Sequence, residues 1–103
     1  MQRTVEEIRR AAEVFKALGH PQRLRIACQL MEGECPSQKH LVEELGLPQS
    51  SVARLLEPLR ACGLVAGVRQ GAELRLSAQG QVLARMLDAM CDLVHAGDGR
   101  SAP

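Results

Sequence analysis

The stretch Leu47–Gly63, LPQSSVARLLEPLRACG, decides how the chain is read. Pro48 suits the first turn of a helix, where a missing N–H costs nothing. Val52, Leu55, Leu56, Leu59 and Cys62 recur at three- and four-residue steps and mark one apolar stripe. Ser50, Ala53, Arg54, Glu57 and Ala61 fall on the opposite side, which is small, polar and free of bulk. Gly63 stands where a helix closes on a left-handed residue. A buried back and a slim hydrogen-bonding front suit insertion into a major groove. Any amphipathic surface helix has the same pattern, so the neighbouring segments decide.

Working towards the N-terminus, Gly46 makes a tight turn out of a helix capped by Ser37, with Leu41, Val42 and Leu45 facing inward. Before it, Cys35-Pro36 forces extended backbone. His20-Pro21 opens an earlier helix, with Leu24, Ala27, Cys28 and Met31 on one side and Ile26 and Leu30 widening the arc; Gly33 ends it. Thr4 with Glu7 is a capping-box pattern, and Val5, Ile8, Ala12 and Phe15 form the stripe of a first helix from about Val5 to Leu18. Towards the C-terminus the period switches to alternation. Val65–Arg69 and Glu73–Ser77 read as a short hairpin around Gly71. Ser77 then caps a last helix, with Val82, Leu83, Met86, Leu87, Met90 and Val94 on one side.

The fold class is therefore mainly α with a small β-hairpin, in the order α-α-α-α-β-β-α. A helix, a Gly46 turn, a second helix and a two-stranded wing make a winged helix-turn-helix. It occupies residues 1–96 as one domain with dimerisation helices at both ends, and 97–103 reads as a disordered tail.

Composition narrows the function. The chain has 103 residues and one aromatic, Phe15, so its core is small and aliphatic. Dimerisation is a reasonable way to bury more apolar surface. No apolar run is long enough to span a bilayer, and the charged start MQRTVEEIRR lacks a signal-peptide core, so a cytoplasmic location without membrane attachment is expected. The four cysteines are then thiols by default and not a disulfide framework, and they form no CxxC pair. A formal net charge of +1 neither demands nor excludes nucleic acid. The sequence offers no Ser/His/Asp set, phosphate loop or supported carboxylate pair, so an enzyme is not expected.

FKALGHPQRLRIACQLMEGE, then LVEELGLPQSSVARLLEPLRACGLV, then a Gly-turned wing, resembles the ArsR/SmtB family of small dimeric repressors. The similarity covers about residues 12–96, and its pieces are HPQRLRI, LGL and QSSV. It implies a repressor that binds an operator in double-stranded DNA, an inverted repeat, as a homodimer. The reading helix of the family enters the groove by its first turns, which implies Gln49, Ser50, Ser51 and Arg54 at the duplex. Gln pairs bidentately with adenine and Arg with guanine, and serines reach phosphates or base edges. The wing offers Arg69 and Gln70; for Arg75 a solvated hairpin position is an equal alternative, and Lys39 and His40 carry less weight. Ala53 and Leu55 stand where the family often has Ser and His, and Glu57 sets a repelling carboxylate near the groove. Pro58 interrupts the helical hydrogen bonds.

Members of the family respond to metals, metalloids, or reactive sulfur and oxygen species. The arsenic motif is absent here, because its two positions hold Ser37 and Lys39, or Pro36 and Gln38. RIACQLMEGE resembles the thiol-switch branch, which implies Cys28 as a redox sensor with Cys91 on the last helix as its partner. Two cysteines packed as small apolar groups are the equal alternative. Cys35 is an alternative partner, and Cys62 is read as packing. Asp88, Asp92 and His95 fall on one side of the last helix and are the candidate zinc ligands, although a solvated polar face is the commoner meaning of such a trio. No cofactor is expected, with zinc or arsenite left as an inducer. A metal- or metalloid-responsive repressor is the alternative within the class. A winged-helix protein-interaction module without DNA binding is the alternative outside it.

Overall fold

The computed structural model describes residues 3–31, 36–79 and 81–97. It contains α1 (Val5–Leu18), α2 (Pro21–Leu30), α3 (Gln38–Leu45), α4 (Gln49–Ala61), β1 (Val65–Gln70), β2 (Glu73–Ala78) and α5 (Val82–Gly97). That is the expected order, and it is a winged helix-turn-helix. Cys35, Gly33 and the tail beyond Gly97 lie outside the described residues.

Local chemistry explains each boundary. The Glu7 N–H donates to Thr4 Oγ1 at 3.1 Å and the Thr4 N–H to Glu7 Oε1 at 3.4 Å, closing the capping box that starts α1. The Gln22 N–H donates to His20 Nδ1 at 3.1 Å, so His20 is the cap of α2 and Pro21 its first residue. Arg23 reaches back to the end of α1, donating from Nε to the Ala17 carbonyl at 2.6 Å and from Nη2 to the Lys16 carbonyl at 3.2 Å. Unpaired carbonyls at a helix C-terminus attract such a cation. HPQRLRI is thus a structural motif that joins α1 to α2. The second helix ends at Leu30, before the expected stop at Gly33.

The His40 N–H donates to Ser37 Oγ at 3.1 Å and starts α3, and Gly46 ends it at φ 65°. Gly46, Leu47 and Pro48 then turn directly into α4. Pro48 is the N-cap of that helix and not its first residue, since Gln49 is the first with helical geometry. Gly63 at φ 84° and Gly71 at φ 63° make the turns on either side of β1. The strands pair antiparallel with Gly67 opposite Leu76 and Gln70 opposite Glu73. Leu76 also donates its N–H to the Pro36 carbonyl at 2.9 Å, and Ser37 bridges Arg75, so the cap of α3 is docked on the outer edge of the wing. Ser77 does not cap the last helix. It lies within β2 opposite Ala66, and α5 begins at Val82.

Ile26, Leu41, Val52, Leu59, Leu76 and Leu83 are fully buried and tie α2, α3, α4, β2 and α5 into one core. Two expected stripes behave differently. On α1, Val5, Ile8 and Phe15 are exposed, and only Ala17 and Leu18 are buried. On α5, Leu83 is buried and Met86 and Leu87 are half-buried, whereas Met90, Leu93 and Val94 face out. An open, largely apolar hollow of about 290 Å³ separates the two helices, lined by Phe15, Leu18, Met86, Met90 and Leu93.

Candidate nucleic-acid interface

Helix α4 is held from behind. Val52, Leu56 and Leu59 are buried, and Leu55 and Cys62 pack half-buried beside them. This one-sided anchoring turns Gln49, Ser50, Ala53, Arg54, Glu57 and Arg60 to solvent, while Ser51 is half-buried at the edge. The helix continues through Pro58, and the Cys62 N–H donates to the Pro58 carbonyl at 3.1 Å. No side chain caps the leading end of α4. Backbone N–H groups at an uncapped helix start are donors for an anion.

Arg69 and Gln70 are exposed at the end of β1, next to the Gly71 turn. Among the described residues, Gln49, Ser50, Ser51, Arg54, Arg69 and Gln70 have no hydrogen bond or ion pair through their side chains. Ser50 is therefore not a local cap. Arg75 is different, since its Nη2 lies 3.0 Å from Glu73 Oε2 on the same strand. His40 Nε2 stands 3.5 Å from Glu44 Oε1 one turn along α3, and Lys39 is exposed. Helix α4 and the wing flank a shared open groove of about 680 Å³, lined by Gln38, Ala53, Glu57, Arg60 and Gly67. Arg60 was not anticipated from the sequence as part of this surface. The available signal was Gly67, a glycine inside a strand, which marks a close approach of another group.

Comparison with known proteins agrees with this geometry. The family model of bacterial regulatory proteins of the arsR family matches residues 20–66. The HTH-type transcriptional regulator CmtR of Mycobacterium tuberculosis is 39% identical over 88 residues, covering 84% of this chain and 73% of that protein. This chain belongs to the ArsR family. The HTH-type transcriptional repressor SmtB of M. tuberculosis is 38% identical over 90 residues, covering 85% of this chain and 63% of that protein. Among solved structures, M. tuberculosis Rv0081 superposes with a TM-score of 0.82 at 28% identity, covering 95% of this chain and 96% of that one. The chain is a winged helix-turn-helix transcriptional regulator of a DNA-binding family.

The sensor candidates of this ArsR-family chain lie on α2 and α5. Cys28 on α2 and Cys91 on α5 are both exposed in the protomer, so neither is packed there as a buried apolar group. No disulfide is present among the described residues. Cys62 is half-buried at the end of α4, with its thiol 3.7 Å from the Leu59 carbonyl. Asp88, Asp92 and His95 are exposed along α5. Among the described residues no three His, Cys, Asp or Glu side chains converge as a metal-ligand set within one protomer. No helix of the described residues is long and apolar enough to cross a membrane.

Proposed function

We propose that this chain is a homodimeric, cytoplasmic repressor that reads an inverted-repeat operator with Gln49, Ser50, Ser51 and Arg54 and steadies it with Arg69 and Gln70. The observation that carries this reading is the set of six polar side chains on α4 and the wing, all without partners among the described residues, around an uncapped helix start. Polar groups held out by a rigid, buried helix back are ready to exchange water for base edges and phosphates. Dimerisation through α1 and α5 accounts for Val5, Ile8, Phe15, Met90, Leu93 and Val94, which are apolar, exposed and divided between those two helices. A two-fold axis there would set two reading helices about 34 Å apart, one DNA turn.

The switch in this reading is thiol chemistry at Cys28 and Cys91, both of them accessible. Two thiols lose two protons and two electrons to a peroxide, which leaves as two waters, and one S–S bond forms. A bond between α2 and the dimer helix changes the spacing of the reading heads and weakens operator binding. No cofactor or catalytic step is needed.

Mobility-shift titration with the DNA upstream of its own gene tests the reading. A salt-sensitive shift at a discrete fragment is expected, and it weakens when the protein is treated with peroxide or a persulfide donor. Failure to shift any promoter fragment, together with a stable protein partner, supports the interaction-module alternative and defeats the repressor. Loss of binding on zinc or arsenite loading, with the full response retained in Cys28→Ser, moves the switch from thiol chemistry to a metal.

A further inference from the structure

Gly67 in the middle of β1 has no positive φ, so its backbone does not require glycine. Space does. A Cβ at Gly67 would stand 3.1 Å from Leu74 Cδ1 and 3.2 Å from both Cζ and Nη2 of Arg60. The guanidinium of Arg60, from the last turn of α4, therefore lies against the bare backbone of the wing. Glu57 lines the same groove one turn earlier, yet no ion pair joins it to Arg60, and Arg60 has no hydrogen-bonded partner among the described residues. Strand alternation places Val65, Gly67 and Arg69 on one face of β1. Arg75 lies on the other face, with Glu73. The helix-facing side of the wing thus carries Arg69 and Arg60, the second lent by α4, and neither makes an ion pair among the described residues.

We propose that Arg60, seated on Gly67, is a phosphate contact that grips the phosphodiester strand passing between the reading helix and the wing. This rests on the DNA-binding reading above. When a helix enters a major groove and a neighbouring hairpin reaches the adjacent minor groove, one sugar–phosphate strand separates the two grooves. That strand must cross the cleft between α4 and β1. A guanidinium is suited to it, with planar donors for phosphate oxygens. Gly67 supplies the open seat on which this group rests. A methyl at position 67 makes the guanidinium, the far end of a flexible side chain, give by a few tenths of an ångström.

The test is fluorescence-anisotropy titration of the full chain, at several NaCl concentrations, against its operator duplex and an unrelated duplex of equal length. Arg60→Ala should weaken both complexes by similar factors and lower the slope of log affinity against log salt by about 0.9 for each protomer bound. Arg60→Lys keeps the slope and restores part of the affinity. A role confined to holding the wing in place would lower the melting temperature and leave the salt slope unchanged. An unchanged slope in Arg60→Ala, while Arg54→Ala weakens operator binding, overturns the proposal and leaves the DNA-binding reading standing. Absence of salt-dependent binding by the wild-type protein defeats both.

Discussion

Helices α1 and α4 carry apolar stripes of the same periodicity and end in opposite environments. On α4, Val52 and Leu59 are both 0% exposed. On α1, Val5 is 84% and Phe15 66% exposed. An apolar period shows that a helix has a side to cover, and it does not say what covers it. For α4 the cover is the protomer's own core, which fixes the orientation of its polar front. On α1 the stripe stays exposed in the protomer, and so does the outward half of α5. In our proposal one stripe builds the reading head and the other joins two of them.

The sharpest way to break that contrast is to truncate one side chain on each stripe. Leu59→Ala removes a fully buried group from the back of α4 and should cost about 2–5 kcal/mol of unfolding free energy. That is a large share of the roughly 5–15 kcal/mol available to a domain. Phe15→Ala should change the stability of the isolated protomer far less. Urea unfolding at low protein concentration, where any dimer is dissociated, checks both. Equal losses would mean that the α1 stripe belongs to the protomer core after all.

A charge on the outward stripe separates assembly from folding. Phe15→Asp should leave the helical circular dichroism intact and shift sedimentation to a single protomer. Operator affinity should then fall by roughly 10² or more, because two linked reading heads bind with an effective concentration that one lacks. Retention of a stable dimer in Phe15→Asp would remove α1 from the interface. On the reading side, Arg54→Ala should cost about 1–3 kcal/mol of operator binding and relax sequence preference at one position in each half-site. Its melting temperature should match wild type, since Arg54 makes no hydrogen bond or ion pair among the described residues.

The contrast also explains what was legible beforehand. Element order and most boundaries follow from period, caps and glycines, because these are local: Thr4 with Glu7, His20 before Pro21, Ser37, Gly46, Gly63 and Gly71 each act within one turn of chain. The polar front of α4 was legible for the same reason, being the complement of its stripe. Long-range features were not. Ser77 has the residue type of a cap, but pairing with Ala66 keeps it in the strand. Arg23 belongs to a motif whose purpose, holding the α1 carbonyls, shows only when both helices are in place. The seat of Arg60 on Gly67 joins a helix to a strand through a missing side chain, and absence of a Cβ reads in sequence as a turn or a bulge.

The smallest effect compares the two helix starts. At α3, Ser37 is 8% exposed and its Oγ accepts the His40 N–H, so Ser37→Ala leaves a donor without its side-chain acceptor and should cost about 1 kcal/mol. At α4, Ser50 has no such bond, and Ser50→Ala should alter stability by less than about 0.5 kcal/mol. The order should reverse in binding. Once corrected for the folded fraction, Ser37→Ala keeps operator affinity, because its hydroxyl is occupied within the protein. Ser50→Ala loses affinity, because its hydroxyl is offered outward. Paired melting curves and anisotropy titrations measure both. A Ser50→Ala protein with lower stability and unchanged DNA affinity would mean that the leading end of α4 is capped like α3, and that the open donors there are not held for a phosphate.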